Sequence, residues 1–252
     1  MITLRCHHVV VTGGGSGIGK AIAARLVEGG AEVTIAGRNI DKLLQAKEEI
    51  ASERVHCMRW DVTDCSRARE YLLQAKELMG GFDGLVNNAA IGSNQLTGRG
   101  YEPWDISPEE WDQMMAVNLK AAFFNMRTAV DLMSETNTRG NILNISSNAA
   151  CMDIIGSYSS SKLSLLRMTR AFGKRNGAKG IIINGIAPGA TLTPMIAHYA
   201  SSVAQPYPRH AIGRFIRPEE IAELAFYLMS SYGEIICGHT VVADGGDTHA
   251  TL

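Results

Sequence analysis

The sequence carries almost no net charge. Its 252 residues include 24 basic and 25 acidic side chains, for a formal net charge of −1 with histidine neutral. A near-neutral chain has no broad positive field that would draw nucleic acid or an anionic membrane onto its surface. Long hydrophobic runs are lacking as well, since no stretch approaches the roughly 18 apolar residues that a membrane span needs. The sequence therefore predicts no nucleic-acid partner and no membrane partner.

Cysteine and histidine are few and scattered. The five cysteines, at positions 6, 57, 65, 151 and 237, form no C-x-x-C pair. Such an odd, widely spaced set argues against a disulfide framework and against a zinc site. The seven histidines contain no H-E-x-x-H motif, and the short valine run near the N-terminus is too brief for the apolar part of a secretory signal. We therefore expect no metal centre and a reducing, cytoplasmic location.

Short apolar runs alternate with stretches of helical period along the whole chain. The runs are typical of strands covered on both faces, and they fall at 9–11, 33–36, 57–60, 85–86, 142–145, 181–186 and 240–242. Helices are predicted between them, with starts near Glu109, Ser157 and Pro218 among others. This order predicts an α/β fold with one Rossmann-type, doubly wound, mostly parallel seven-stranded sheet and helices on both faces. No linker or repeat interrupts it, so we expect a single domain over residues 1–252.

Glycine is abundant, and its position is informative. The chain has 26 glycines, where average usage near 7% predicts about 18. The densest group is T-G-G-G-S-G-I-G over residues 12–19, between the first predicted strand and the first predicted helix. Bare backbone at a helix N-terminus is what the pyrophosphate of a dinucleotide requires. The alternative is an ordinary flexible turn that joins a strand to a helix.

The spacing of this loop, T-G-x-x-x-G-x-G, resembles the short-chain dehydrogenase/reductase family. Later segments are similar to that family's motifs in the same order, namely N-N-A-A at 87–90, N-I-S-S at 144–147, Y-x-x-x-K at 158–162, P-G-x-x-x-T at 188–193 and D-G-G at 244–246. The sequence departs from the family pattern at Ala90, where glycine is usual. The resemblance implies an NAD(P)-binding Rossmann domain whose cofactor contacts Gly13, Gly15, Ser16, Gly17, Ile18, Gly19, Asp61, Val62, Asn88, Ala89, Tyr158, Lys162, Pro188, Gly189 and Thr193.

The end of the second predicted strand bears on the choice of nicotinamide cofactor. NAD-binding Rossmann folds have an acidic residue there that accepts hydrogen bonds from the ribose 2′-hydroxyl. Here the strand runs into Gly37, Arg38 and Asn39, with no acid. A guanidinium can bind a 2′-phosphate with two hydrogen bonds, whereas a carboxylate would repel it. We expect NADP(H) as the preferred cofactor, with NAD(H) possible; the plainer interpretation is that Arg38 is a solvated loop cation.

Tyr158 and Lys162 stand four residues apart at the start of a predicted helix and therefore share one face. An ordinary phenol has a pKa near 10, which is too high for ready proton exchange at neutral pH. A cation about 4 Å away, at an effective dielectric constant of about 20, contributes roughly 4 kcal/mol, equivalent to about three pH units. The pair predicts a tyrosine acid/base whose pKa is lowered by its lysine.

The family resemblance implies the other catalytic roles. Ser147 would hydrogen-bond the substrate oxygen, Asn118 would anchor a proton-relay water, and Lys162 would also hold the nicotinamide ribose. The interval from Ser147 to Tyr158 is shorter than the family usually has. Ser146 therefore stays open as the catalytic serine, because adjacent residues of a strand point to opposite faces.

These motifs favour an oxidoreductase that transfers a hydride between NADP(H) and the carbonyl or alcohol carbon of a small organic substrate. One alternative is a non-catalytic cofactor-binding regulator on the same fold. Another is an enoyl-type C=C reductase, whose usual Y-x-x-x-x-x-x-K spacing would place its lysine at Leu165. Substrate selection is expected at about residues 190–215, with 95–101 as part of the opposite rim. The resemblance also implies a homo-oligomer, either a tetramer or a dimer.

Overall fold

The computed structural model describes residues 3–92, 105–202 and 207–248. The strands are β1 (His8–Thr12), β2 (Glu32–Gly37), β3 (Val55–Arg59), β4 (Gly84–Asn87), β5 (Gly140–Ile145), β6 (Ile181–Pro188) and β7 (Thr240–Ala243). They form one sheet in the order β3-β2-β1-β4-β5-β6-β7. Every pairing in it is parallel. The predicted α/β class and seven-stranded sheet are confirmed, and the sheet is more regular than the mostly parallel one expected.

Helices lie in the intervals between the strands. They are α1 (Gly17–Glu28), α2 (Ile40–Ile50), α3 (Ala68–Met79), α4 (Pro108–Met115), α5 (Ala121–Glu135), α6 (Ser157–Asn176), α7 (Ala197–Ser202) and α8 (Pro218–Leu228). The helix α3 fills the interval between β3 and β4, where no helix start was predicted. The long helix predicted from about Glu109 is divided into α4 and α5 by a π-helical turn, Ala116–Lys120.

The two faces of the sheet pack against different helices. Val9 and Val11 of β1 belong to an apolar cluster that includes Leu26 of α1 and residues of α2 and α8. Val10 belongs to a second cluster, with Met126 of α5 and residues of α3 and α6. Alternate side chains of a strand point to opposite faces, so the three valines in the middle of β1 are apolar because the strand is buried on both sides. The doubly wound arrangement follows from this pattern.

The strand order reverses between β1 and β4, and this reversal positions the site. In open α/β sheets a crevice forms at such a point, at the carboxyl ends of the strands. The hydroxyl of Thr12 donates to the Val86 carbonyl oxygen at 3.2 Å and accepts from the Asn88 and Ala89 amides at 3.1 Å each. The Asn88 side chain donates in return to the Thr12 and Gly13 carbonyl oxygens, at 3.0 and 3.1 Å. The loops after β1 and β4 are therefore fixed to each other.

The third strand ends one residue before its predicted end. Its ladder with β2 stops at the pair Gly37–Arg59, because Gly37 is the last residue of β2. Trp60 lies beyond the strand, where its backbone N–H donates to the Gly37 carbonyl oxygen at 3.0 Å. Its indole is buried and stacks on Tyr71, with 5.1 Å between ring centroids. The predicted strand 57–60 is therefore wrong at both ends, since the observed strand also starts earlier, at Val55.

Candidate active site

A groove of about 320 Å³ runs across the carboxyl ends of the central strands. It is lined by most of the residues expected to hold a cofactor: Gly13, Ser16, Gly17, Ile18, Arg38, Asp61, Val62, Asn88, Ala89, Tyr158, Lys162 and Thr193. Gly15 and Gly19 are not among its described lining residues. Pro188 and Gly189 line a neighbouring cleft instead.

The loop after β1 consists mostly of glycines and therefore carries few side chains. Gly13 and Gly17 have φ angles of 67° and 53°, in the region that side chains disfavour. A Cβ on Gly13 would lie 2.9 Å from the Ala89 Cα, and one on Gly17 would lie 3.0 Å from the Thr193 Cγ2. Gly19 has a packing role, since a Cβ there would lie 2.5 Å from the Gly13 carbonyl oxygen. The loop therefore leaves room for a ligand where side chains would fill the groove.

The N-terminus of α1 opens onto this groove. Ser16 is the N-cap residue, yet its side chain makes no capping hydrogen bond, and the first turn holds no acidic residue. The first N–H groups of a helix have no intrahelical acceptor and carry partial positive charge. Ser16, Gly17 and Ile18 line the groove at this point. An uncapped helix end under a bare glycine loop fits the pyrophosphate of a dinucleotide.

One end of the groove is lined by Arg38, Lys42 and Asp61. In the described part of the chain neither cation forms an ion pair. The Asp61 carboxylate accepts from the Thr63 amide and hydroxyl at 3.0 and 2.7 Å. Glu32 lies at the opposite end of β2 from Arg38, where it is paired with His56 of β3. Lys42 is a groove residue that the sequence analysis missed; it stands one helical turn after Arg38.

Asn118 lies buried in the π-helical turn. Its Oδ1 accepts from the Ile91 N–H and its Nδ2 donates to the Ile91 carbonyl oxygen, both at 2.9 Å. The Nδ2 also faces the Met114 sulfur at 3.0 Å, so only Oδ1 has capacity left for a water molecule. Single π turns are frequent at functional sites. This one fixes the loop after β4, which lines the groove.

The two candidate serines have different partners. The buried Ser146 hydroxyl donates to the Lys162 carbonyl oxygen at 2.9 Å. The Ser147 hydroxyl accepts from the Ala149 amide at 3.2 Å and lies beside the Tyr158 phenol, on whose pKa it has a lowering influence. The structure therefore brings Ser147, and not Ser146, to the tyrosine. The short intervening loop closes at Gly156, whose φ of 147° is open to glycine and rare for other residues.

Lys162 is buried in the same place. Its Nζ donates to the Ile145 carbonyl oxygen at 3.0 Å and lies 5.7 Å from the centroid of the Tyr158 ring. Burial lowers the pKa of Lys162 to about 8. Burial also raises the pKa of Tyr158, and the Ser147 hydroxyl opposes that rise.

The predicted lowering of the Tyr158 pKa by Lys162 is therefore wrong for this structure. The ammonium is directed at a backbone carbonyl, and desolvation of the phenol is the largest influence on its pKa. A buried phenolate is penalised more than the distant cation helps it. Tyr158 is consequently a protonated phenol at neutral pH.

A second cleft, of about 350 Å³, meets the groove at Tyr158, which lines both. Its size lies within the range of small-molecule sites, roughly 300–1,000 Å³. The segment expected to select substrate contributes Ala190, Thr191, Thr193, Met195, Ile196, Tyr199, Tyr207 and Arg209. His210 is buried, with Nδ1 2.8 Å from the Arg214 carbonyl oxygen. The expected opposite rim, 95–101, lies outside the described residues, as do 203–206.

Within the described ranges, no three His, Cys, Asp or Glu side chains are grouped so that they could hold a metal ion. In the same ranges, no helix is both long enough and apolar enough to cross a membrane.

Comparison with known proteins agrees with this geometry. A family model described as short chain dehydrogenase matches residues 7–203. The chain is 33% identical to the 2,5-dichloro-2,5-cyclohexadiene-1,4-diol dehydrogenase of Sphingobium indicum, over 95% of this chain and 96% of the relative. It is 30% identical to the 3-oxoacyl-[acyl-carrier-protein] reductase of Aquifex aeolicus, over 94% and 95% of the two chains.

A solved structure is similar over almost the whole length. The crystal structure of a short-chain type dehydrogenase/reductase from Mycobacterium marinum superposes with a TM-score of 0.88 at 29% identity, covering 98% of each chain. A dinucleotide groove that meets a small-molecule cleft at Tyr158 is consistent with these relatives. The chain belongs to the short-chain dehydrogenase/reductase family, and it is an NAD(P)-dependent oxidoreductase that acts on CH–OH and C=O groups.

Proposed function

We propose that this enzyme interconverts a ketone and its alcohol with NADP(H), and that Tyr158 is the acid/base. One observation carries the proposal: Tyr158, beside Ser147 and the buried Lys162, lies where the dinucleotide groove meets the small-molecule cleft. When bound, the nicotinamide cofactor supplies or accepts the hydride. The chain binds and orients both reactants and moves the proton.

The roles of the side chains follow from their contacts. Ser147 donates a hydrogen bond to the substrate oxygen, and Tyr158 gives that oxygen its phenol proton in reduction and takes it back in oxidation. Lys162, cationic below a pKa of about 8, holds the nicotinamide ribose. Asn118 holds the loop after β4 in place through Ile91.

The proposed cofactor contacts extend along the groove. The loop from Gly13 to Gly19 and the α1 N-terminus receive the pyrophosphate, while Asp61 and Val62 face the adenine. Arg38 and Lys42, without acidic partners in the described part of the chain, bind a 2′-phosphate. Two cations and no carboxylate at the end of β2 favour NADP(H) over NAD(H).

The substrate is proposed to be small, with an apolar body. Ile154, Met195 and Ile196 line the cleft beside the serine and tyrosine hydroxyls. The names of the two relatives refer to a cyclic diol and to an oxo group, which fits a secondary alcohol or a ketone.

A panel of ketones and alcohols, followed at 340 nm with NADPH or NADP⁺, tests the proposal. We expect turnover of at least one member, with kcat/KM at least about tenfold higher for NADPH than for NADH, because one charge-assisted hydrogen bond contributes roughly 1.5–3 kcal/mol. If NADPH binds but no panel member is turned over, the chain is better described as a cofactor-binding regulator.

Arg38→Asp isolates the source of the cofactor preference. A carboxylate at this place repels a 2′-phosphate and accepts from a 2′-hydroxyl. We expect the ratio of the NADPH to the NADH dissociation constant, measured by cofactor fluorescence, to rise by at least about 100-fold. Arg67→Asp, at a surface ion pair outside the groove, is the control and should leave the ratio unchanged. An unchanged ratio in Arg38→Asp would contradict the assignment.

A further inference from the structure

Arg209 and Asp247 form an ion pair in the wall of the substrate cleft, and the proposed chemistry does not use it. The Arg209 Nε donates to Asp247 Oδ1 at 3.3 Å, and its Nη2 donates to Oδ2 at 3.2 Å. Both residues line the cleft that contains Ser147 and Tyr158. Ion pairs that leave water are unfavourable unless their hydrogen bonds are completed. A charged pair in a ligand cleft therefore indicates a polar group on the ligand.

The pair is held in a fixed position. Asp247 Oδ2 also accepts from the Asn148 Nδ2 at 3.0 Å, and the Asp247 side chain is only 8% exposed, against 50% for Arg209. Asn148 directly follows Ser147, so their Cα atoms are about 3.8 Å apart. The guanidinium is thus connected through Asp247 and Asn148 to the segment that carries Ser147.

The guanidinium has donors left for a ligand. Arginine has five N–H groups. Nε and Nη2 serve Asp247, and Nη2 also faces the Met152 sulfur at 3.7 Å. The hydrogen bonds found within the described residues leave Nη1 without an acceptor. Nη1 therefore presents two donors on a half-exposed side chain in the cleft.

The opposite charges of Arg209 and Asp247 determine which kind of ligand oxygen can accept a hydrogen bond from Nη1. Asp247 already neutralises Arg209, so a carboxylate on the ligand would meet an anion beside the cation. The other titratable side chains that line the cleft are Tyr158, Tyr199 and Tyr207, and the hydroxyl oxygens of the last two lie 3.3 Å apart. Burying a second anion costs more than burying a hydroxyl or a carbonyl that receives a hydrogen bond. An uncharged oxygen is the better match.

We propose that Arg209 binds a second, uncharged oxygen function of the substrate. The substrate class is then an apolar molecule with two oxygen functions, such as a hydroxyketone or a diol, of which one reacts at Tyr158 and the other accepts from Nη1. Arg209 is a specificity-determining residue, and Asp247 and Asn148 are positioning residues. This inference rests on the proposed function and names the substrate class of that site.

Matched ketones that differ by one hydroxyl test the proposal. The probes are cyclohexanone with its 2-, 3- and 4-hydroxy derivatives, 2-alkanones with and without a terminal hydroxyl, and 4-oxocyclohexanecarboxylate. We expect at least one hydroxyketone to exceed its parent in kcat/KM by about 10- to 100-fold, the effect of one hydrogen bond to a charged group. In Arg209→Met this preference, the ratio of kcat/KM for the hydroxyketone to that for its parent ketone, should fall below about threefold.

Measurements of substrate binding distinguish substrate recognition from turnover. The dissociation constant of the preferred hydroxyketone, measured by calorimetry on the enzyme with NADP⁺, should rise about 10- to 100-fold in Arg209→Met. Arg69→Met removes a comparable pair with Glu135 on the outer surface and should change nothing. Asp247→Asn leaves the Arg209 charge uncompensated, so it should shift preference toward the carboxylate probe.

The outcomes are distinct. Parent ketones turned over without any gain from a hydroxyl, or a gain that survives in Arg209→Met, would overturn the inference and leave the proposed function intact. A wild-type preference for the carboxylate that is lost in Arg209→Met would overturn the uncharged class. Turnover of no probe at all, although NADPH binds, would overturn the proposed function and this inference with it.

Discussion

Tyr158→Phe should lower kcat for ketone reduction by about 100- to 10,000-fold, the contribution of a positioned general acid. The substitution removes the phenol hydroxyl with its proton, and it leaves in place the ring that lines both the groove and the cleft. The NADPH dissociation constant should change by less than about threefold. Steady-state kinetics at 340 nm and cofactor fluorescence measure the two quantities.

Tyr227→Phe is the matched control for this substitution. Tyr227 lies on α8, is partly exposed and lines neither the groove nor the cleft. The kcat of Tyr227→Phe should match that of the wild-type enzyme. Equal kcat values for Tyr158→Phe and wild type would show that the proton comes from another group.

Lys162→Met should reduce activity and increase stability together. The pKa of Lys162 is about 8 in the fold, against an ordinary value of 10.5, so the folded state is penalised for holding the cation at neutral pH. About 2.5 pH units correspond to roughly 3.4 kcal/mol, and loss of the bond to Ile145 returns about 1 kcal/mol of that. We expect a net gain of about 2 kcal/mol in the free energy of unfolding at pH 7, with kcat at least about tenfold lower.

The sign of this effect depends on pH. Between pH 8 and 10.5 the unfolded chain binds more protons than the folded chain, so wild-type stability rises with pH there. The advantage of Lys162→Met should therefore be full below pH 8 and fade toward pH 10.5, as followed by urea denaturation. Lys174→Met, on the exposed side of the same helix, should stay within about 0.5 kcal/mol of wild type. A destabilised Lys162→Met at pH 7 would contradict the account.

Local sequence patterns predicted much of the fold and of the candidate site. The strands are short, apolar and buried, and their alternation with helical stretches predicts the parallel sheet, although not the order of the strands in it. The glycine loop and the Y-x-x-x-K spacing are also local, and the structure places their residues around one groove. The helix α3 could have been predicted in the same way, because its buried residues recur at helical spacing: Ala68, Tyr71, Leu72, Ala75 and Met79.

What the sequence could not predict depends on tertiary contacts. Arg209 and Asp247 are 38 residues apart and meet only because the C-terminal segment returns to the cleft. The direction of the Tyr158 pKa depends on burial and on where the Lys162 ammonium points, and spacing along a helix fixes neither. Ser146 and Ser147 are adjacent, and only their partners distinguish them.

The pH dependence of kcat/KM in both directions, for wild type and Tyr158→Phe, tests the central claim most directly. Reduction needs the phenol proton and the Lys162 cation, so its rate should be flat near neutrality and fall as pH rises through about 8. Oxidation needs the phenolate, whose pKa burial raises, so its rate should climb with pH across the same range. Tyr158→Phe should abolish the rise of the oxidation rate with pH, whereas any residual reduction should still fall through about pH 8 because Lys162 is unchanged. A reduction rate that rises with pH, or an oxidation rate that still climbs with pH in Tyr158→Phe, would contradict the assignment of Tyr158 as the acid/base.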